Sequence, residues 1–236
     1  MSPFEVPTPQ VDLQTLPPLI LTSEPDSFAQ RTFAVRIPRI IQETIELNSF
    51  PNDIRGALEE LRIEILNDTV RGLRQETPDK AFWDQVSLPY LGRTWLDIPW
   101  YWGEAFMYRR VLEATRYFLP GATYGFDPYA ATKATEWKPD AAPRLANLVL
   151  KEAPAEPRAR FERLLHASLW GNRTDLSYNV AAQVGRAAQY EDEHRNLLVN
   201  DTQRVWEYLT QKPGRRLGII TDNAGTELLM DLALTD

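Results

Sequence analysis

The chain has no cysteine and only two histidines, His166 and His194, among its 236 residues. Without cysteine there is no disulfide, no thiolate nucleophile and no Cys-ligated zinc or iron–sulfur centre. Two histidines far apart in sequence do not make a His-rich metal site, so any metal chemistry falls to oxygen ligands. Each histidine reads as a packing or surface residue, with a catalytic base as the alternative. No apolar run approaches the roughly 18 residues of a membrane span, so no membrane partner is expected. The start, Met1-Ser2-Pro3-Phe4-Glu5, lacks a basic stretch followed by an apolar one. The expectation is therefore a cytoplasmic chain without a secretory signal. Clustered positive charge is also missing: 26 basic against 33 acidic residues give −7. A nucleic-acid partner is not expected, because phosphate binding needs a concentrated positive field.

What is present suffices for a core. Hydrophobic residues are 43% of the chain, with 7 Trp, 9 Phe and 9 Tyr. Charged residues at 25% exclude a wholly disordered polymer. Length alone admits one large domain or two small ones.

Six prolines between Pro3 and Pro25 predict an extended arm over residues 1–26. From Ser27 the pattern turns helical, with Phe33, Ile37, Ile40, Ile41 and Ile45 on one face and Pro38 expected to kink or restart the helix. After Pro51, the residues Ile54, Leu58, Leu61, Ile65, Leu66, Val70 and Leu73 trace an apolar stripe. Aromatics crowd residues 83–117, where Pro99 is placed to open a helix through Glu104, Tyr108, Arg109 and Arg110. Residues 119–139 read as a long loop rich in Gly, Pro, Thr and Ala. Helices are expected again at 141–150, at 157–169 with a stop at Gly171, and at 201–211 with Asp201 as cap and Val205, Trp206 and Leu209 buried. These elements make a helical domain over 27–212. Beyond it, Leu217-Gly218-Ile219-Ile220 reads as a short strand, followed by the polar turn Thr221–Glu227 and a helix-like Leu228–Leu234. Strand, turn and helix form the opening half of a βαβ unit, so residues 213–236 are read as the incomplete start of an α/β domain.

The turn after the strand is the first candidate for chemistry, since ligands collect beyond the carboxyl ends of parallel strands. Asp222 and Asn223 offer a carboxylate and an amide oxygen, hard donors suited to Mg²⁺ or Mn²⁺. Gly225 admits a ligand close to the backbone, and the following helix presents its positive end. The competing reading is ordinary capping: Asp and Asn before a helix, with an early Glu compensating the dipole. A second candidate is Leu169–Ser177, in which Asn172 and Asp175 either face a site or end one helix and begin another. A third, Glu104 with Arg109 and Arg110, is most simply explained by an amphipathic helix.

Five stretches together carry a resemblance. Asp222-Asn223-Ala224-Gly225-Thr226-Glu227-Leu228 resembles the metal-binding motif of the damage-control phosphatases. The closest branch holds metal-dependent sugar-phosphate phosphatases and acidic-residue methyltransferase 1. In matching order come Arg31–Ile40, Pro99–Arg110, Leu169–Ser177 and Val199–Leu209. The resemblance implies a helical N-terminal region on a Rossmann-like α/β/α domain. It also implies metal-dependent hydrolysis of small phosphorylated metabolites such as fructose 1-phosphate, with Mn²⁺ among the metals used. Asp222 and Asn223 would be metal ligands, and Asp222 is also a candidate nucleophile beside metal-bound water. Asn172 and Asp175 would line the site, and Glu227 would lie in the ligand pocket, which binds a methyl donor in the branch credited with glutamate methylation. The family's third metal ligand, an Asp, and its basic phosphate-binding residues lie on segments later than Asp236. This polypeptide is accordingly expected to be a weak catalyst, the front portion of an enzyme or the partner of a separately encoded C-terminal half. Two rival expectations are a carboxyl methyltransferase using S-adenosylmethionine and a non-catalytic helical interaction module.

Overall fold

The computed structural model describes residues 12, 15–136, 147, 151, 153–169, 197–211, 217–221 and 226–235. The chain divides into two compact units, Met1–Pro128 and Tyr129–Asp236. Among the described residues the structure is helical, and its only β-type pairings are the isolated bridges Leu21↔Pro99 and Thr69↔Thr94.

In the first unit, helix α1 (Phe28–Arg31) opens under Ser27, whose Oγ accepts from the Gln30 N–H at 3.0 Å. A π-helical turn, Thr32–Arg36, joins it to α2 (Ile37–Leu47), which carries Pro38 in its first turn. The expected restart at Pro38 is seen: α2 begins at Ile37 with Pro38 in its first turn, directly after the π turn. Proline has no N–H to offer the preceding turn, and its ring crowds the carbonyl four residues back. Widening the helix by one residue relieves that crowding while the Ile37 N–H still reaches the Thr32 carbonyl. Phe33, Ile37, Ile41 and Ile45 are buried as the spacing requires.

Helix α3 (Asn52–Asn67) buries Ile54, Leu58, Leu61 and Ile65. Leu66, one step from Ile65, falls off the stripe and is exposed. Val70 and Leu73 are buried but not helical. The chain leaves the helix at Asp68, whose Oδ1 accepts from the Thr69 N–H at 2.7 Å, a local bond that competes with helix continuation. Val70 then exchanges backbone hydrogen bonds with Arg93 and Gly92 at 2.8 and 2.9 Å.

Short helix α4 (Lys80–Ser87) and α5 (Trp100–Ala114) complete the unit's core. Phe106 is its hub: Trp102, Trp83 and Trp95 lie 5.0, 5.3 and 6.1 Å from it between ring centroids, and Phe33 stacks on Trp95 at 5.9 Å. Each such aromatic pair adds about 1 kcal/mol beyond the area it buries. The first and second resemblance-bearing stretches meet here, since Arg36 pairs with Glu104 at 2.8 Å.

The second unit begins with α6 (Ala130–Glu136), a helix inside the stretch expected to be a loop. The turn-forming Gly and Pro residues stop at Pro128, and Ala-Ala-Thr-Lys-Ala-Thr-Glu that follows has ample helix propensity. Helix α7 (Pro157–Leu169) ends where expected. It packs against α8 (Thr202–Thr210) and α9 (Thr226–Thr235). Leu164, Met230 and Ala233 form the shared core, with Ala167, Leu229 and Leu234 against it. Asp201 is the N-cap residue of α8, its carbonyl accepting from the Val205 N–H at 3.0 Å, but its carboxylate pairs with Arg204 at 3.0 Å and makes no cap hydrogen bond. Asn200 Oδ1 supplies one instead, accepting from the Thr202 N–H at 3.1 Å. None of the three residues expected on the buried face of α8 is buried: Val205 is exposed, and Trp206 and Leu209 are half-buried.

The strand expected over residues 217–220 is not formed among the described residues: the run makes no β pairing there, and Leu217 and Ile220 are 59% and 99% exposed. The apolar run has the composition of a strand but, among the described residues, no neighbour to bond, and an unpaired strand is not stable alone. Residues 141–146, 148–150 and 213–216 lie outside the described residues.

Gly103 of α5 lies tight against Phe33 and Ile98. A Cβ there would sit 2.7 Å from both Ile98 Cδ1 and Phe33 Cζ, two fully buried side chains. Overpacking of this kind costs about 1–3 kcal/mol, against a helix-propensity gain of about 1 kcal/mol for alanine. Gly103→Ala is expected to lower stability by about 1–2 kcal/mol in urea unfolding monitored by tryptophan fluorescence.

Candidate functional site

Of the residues singled out in the sequence, Asp222, Asn223, Asn172, Asp175 and His194 lie outside the described residues. Glu227 is placed: it stands half-buried in the first turn of α9, where a carboxylate is favoured by the helix's positive end. The helix expected after the acid–amide pair is thus present, beginning three residues beyond Asn223.

The second unit builds this region from α7, α8 and α9. Asp231, four residues after Glu227 and therefore one turn along the same helix, is nearly buried. Ser168 Oγ, from the last turn of α7, donates to Asp231 Oδ1 at 2.5 Å. His166 is fully buried, and its Nε2 lies 3.3 Å from Thr202 Oγ1. It belongs to the packing of α7 on α8, which agrees with the reading of His166 as a packing residue. Between these two helices runs a groove of about 240 Å³, floored by the Phe161–Trp206 ring pair at 5.3 Å and edged by Arg158, Glu162 and Gln203. The sequence placed Trp206 on a buried helix face but gave the groove residues no part in a site. Two aromatics some forty positions apart carry no periodic signal that would pair them.

For a divalent metal, no cluster of three or more His, Cys, Asp or Glu is assembled among the described residues. Asp222 and Asn223, the two residues expected to hold a metal, offer oxygen donors. Such a set fits Mg²⁺ or Mn²⁺, which keep several waters and need few protein ligands.

The third candidate has a structural role. Arg110 is fully buried, and its Nη1 and Nη2 donate to Glu64 Oε1 and Oε2 at 2.9 and 2.7 Å. Burial pulls this guanidinium below its ordinary pKa, while the Glu64 bonds oppose the pull. Glu113 accepts from the backbone N–H groups of Gln75 and Arg74 at 3.0 and 2.6 Å and from Arg71 at 3.2 Å. Burial would raise its pKa, but those backbone donors, with Arg110 and Arg71, outweigh burial and lower it. Arg109 donates through Nε to Asp79 Oδ2 at 2.7 Å and through Nη2 to Thr77 Oγ1 at 2.8 Å, and its guanidinium lies over the Phe118 ring at 4.6 Å. These charges tie the connection between α3 and α4 to α5. Glu104 is occupied by Arg36.

Comparison with known proteins bears on the whole chain. The family model described as the damage-control phosphatase ARMT1-like domain matches residues 32–236. A protein named damage-control phosphatase ARMT1 from Danio rerio is 28% identical over 267 aligned positions, covering 94% of this chain and 59% of its own length. The Mus musculus protein of the same name is 27% identical over 263, covering 93% and 60%. That from Rattus norvegicus is 30% identical over 160, covering 60% and 36%. The chain spans about 60% of the length of the first two of these relatives. All three carry the phosphatase name, and the methyl-transfer reading gains no favour from them. No helix among the described residues is long and apolar enough to cross a membrane.

The ion pairs predict an acid response. The Asp79 carboxyl is held down to about 2 from 3.8, chiefly by the Arg109 bond, against the opposing effect of burial. A lowered carboxylate pKa contributes stability above the unfolded value and loses it as pH falls through the folded one. The urea midpoint is expected to hold down to about pH 4 and to fall between about pH 4 and 2. Asp79→Asn, which cannot titrate, should show a shallower fall over that interval.

Proposed function

The chain belongs to the damage-control phosphatase ARMT1-like family, and from that membership we propose that it acts in metal-dependent hydrolysis of small phosphorylated metabolites, sugar phosphates among them. The observation that carries the site assignment is the helix Thr226–Thr235, which starts directly after Asp222-Asn223 and brings Glu227 in its first turn. In this reading Asp222 and Asn223 hold Mn²⁺ or Mg²⁺. Asn172 and Asp175 line the site, and Glu227 borders the ligand. The extended run 217–220 is proposed as the first strand of a Rossmann-like sheet, paired in the assembled enzyme.

The residues divide the work by their chemistry. A divalent ion bound at such a site supplies charge neutralisation for the phosphoryl oxygens and orients the attacking group. The N–H groups that open α9 add a fixed positive end toward an anion without any reorganisation. Glu227, on that same turn, disfavours a second anionic group beside the phosphate and favours hydroxyl donors on the substrate. Asp222 binds through its carboxylate and Asn223 through its amide oxygen. The pair therefore contributes one negative charge rather than two, and a phosphate dianion is repelled less than by two carboxylates.

The test is release of inorganic phosphate from fructose 1-phosphate by the protein with and without Mn²⁺. Hydrolysis should require the metal, and Asp222→Ala should lower kcat/KM by roughly 100-fold or more, the scale of damage to a metal's ligand shell. Full activity in Asp222→Ala removes the assignment. A folded chain that neither binds Mn²⁺ nor hydrolyses the ester favours the non-catalytic helical module instead.

A further inference from the structure

The groove between α7 and α8 has no part in the proposed metal chemistry. Its walls come from one face of each helix. Arg158, Phe161 and Glu162 stand at spacings of three and four on α7, and Thr202, Gln203 and Trp206 do the same on α8. The Phe161–Trp206 ring planes are inclined at 45°, so neither ring covers the other fully, and both side chains are only half-buried. Most polar side chains of the groove are already engaged. Asn200 Oδ1 accepts from the Thr202 N–H, Gln203 Nε2 donates to Glu207 Oε1 at 2.8 Å, and Thr202 Oγ1 lies against His166 Nε2. Arg158 is the exception. It is exposed, and its guanidinium forms no ion pair or hydrogen bond among the described residues. Glu156, two positions before it, spends its carboxylate on the N–H groups of Arg158 and Ala159 at 3.0 and 2.6 Å.

We propose that this groove binds a small aromatic anion, a single flat ring bearing a carboxylate or phosphate, with the ring on Trp206 and the anion on Arg158. Three features select that class. A guanidinium with its donors unspent offers a planar fork that matches a carboxylate or phosphate. The uncovered part of the indole receives a flat ring in an offset or edge contact. The volume of about 240 Å³ lies below the roughly 300–1,000 Å³ of pockets for drug-sized ligands, which suits one ring with its head group and excludes a dinucleotide. A sugar is served less well. Its hydroxyls need donors and acceptors on several sides, and the groove's amides and hydroxyl are largely committed to protein partners. Glu162, one turn after Arg158, repels an anion laid further along α7 and so biases the head group toward the Arg158 end. The groove needs no metal, and the inference stands apart from the phosphatase reading.

Phenylphosphonate is the probe, because it is not a phosphate ester and hydrolysis does not consume it. Its binding to the full chain is followed by ligand-observed nuclear magnetic resonance in buffer containing EDTA, which keeps metal out of the measurement. The dissociation constant is expected at about 0.1–1 mM, the range open to a ligand of ten heavy atoms. Cyclohexylphosphonate, with the same charge and no aromatic face, should bind about fivefold more weakly. Arg158→Gln should weaken phenylphosphonate about tenfold, the scale of a lost charge-assisted contact. Arg158 is exposed, so this variant should keep the thermal midpoint of the unchanged chain. Trp206→Phe should retain most of the affinity and Trp206→Leu should lose it. Asp222→Ala should bind as the unchanged chain does. Binding weaker than about 10 mM, or undiminished binding by Arg158→Gln, overturns the inference. So does loss of binding in Asp222→Ala, which moves the ligand to the acid–amide pair. Competition by glucose 6-phosphate as strong as that of phenylphosphonate also overturns it, in favour of a polyol site.

Discussion

Burying Arg110 is the constraint around which the first unit is organised. An uncompensated guanidinium in an apolar core costs several kcal/mol, so its donors must be met. Glu64 meets two of them from α3, and the Arg71 carbonyl meets a third at 2.9 Å. Glu64 also accepts from Trp95 Nε1 at 3.3 Å and pairs with Arg71 at 3.1 Å. Satisfying one cation thus fixes α3 against α5, and it brings the connection after α3 alongside. The aromatic cluster around Phe106 then closes over a frame whose register is already set. A purely apolar interface would be as stable or more so, but it would permit more than one packing.

Much of this was legible in the residues. The apolar spacing of Phe33, Ile37, Ile41 and Ile45, and of Ile54, Leu58, Leu61 and Ile65, reports a buried helical face because burial and period are the same constraint. The boundaries were less so. Leu66, Val70 and Leu73 continue the hydrophobic signal past the point where Asp68 takes the Thr69 N–H, and periodicity does not register a side chain that competes for the backbone. Pro38 announced a kink or restart, and α2 does restart there, behind a π turn that the sequence pattern did not announce. Whether a helix breaks or widens at proline depends on packing that local sequence does not encode. The buried charges were invisible for the same reason. Arg109, Arg110 and Glu113 look like the polar face of an amphipathic helix until their partners, dozens of positions away, are placed.

The candidate site divides along similar lines. Its proposed donors are oxygen atoms, because a chain without cysteine and with two histidines offers few other ligands. The helix after the acid–amide pair was readable from the run Leu228–Leu234, and α9 is there. The expected strand before it was not realised among the described residues, and the reason is a property of sheets. A helix satisfies its own backbone, whereas a strand is defined by a neighbour. Composition reports that Leu217–Ile220 suits a strand, but it does not supply the second strand.

That difference bears on the proposed acid–amide pair, which lies in sequence between that run and α9. On its sheet side the preceding run makes no backbone pairing among the described residues. On its helix side α9 is seated by a small apolar cluster and by Asp231. Burying side chains the size of Leu164 and Met230 contributes about 2 kcal/mol each, an upper figure before ordering entropy is subtracted. A seat of that strength holds a helix but leaves its rotation soft, so a directional bond carries more of the positioning than its own energy suggests. Oxygen ligands have to converge within a few tenths of an ångström on a divalent ion. Among the described residues α9 is thus held by a small apolar cluster together with the directional Ser168–Asp231 bond, whereas the first unit rests on an aromatic core.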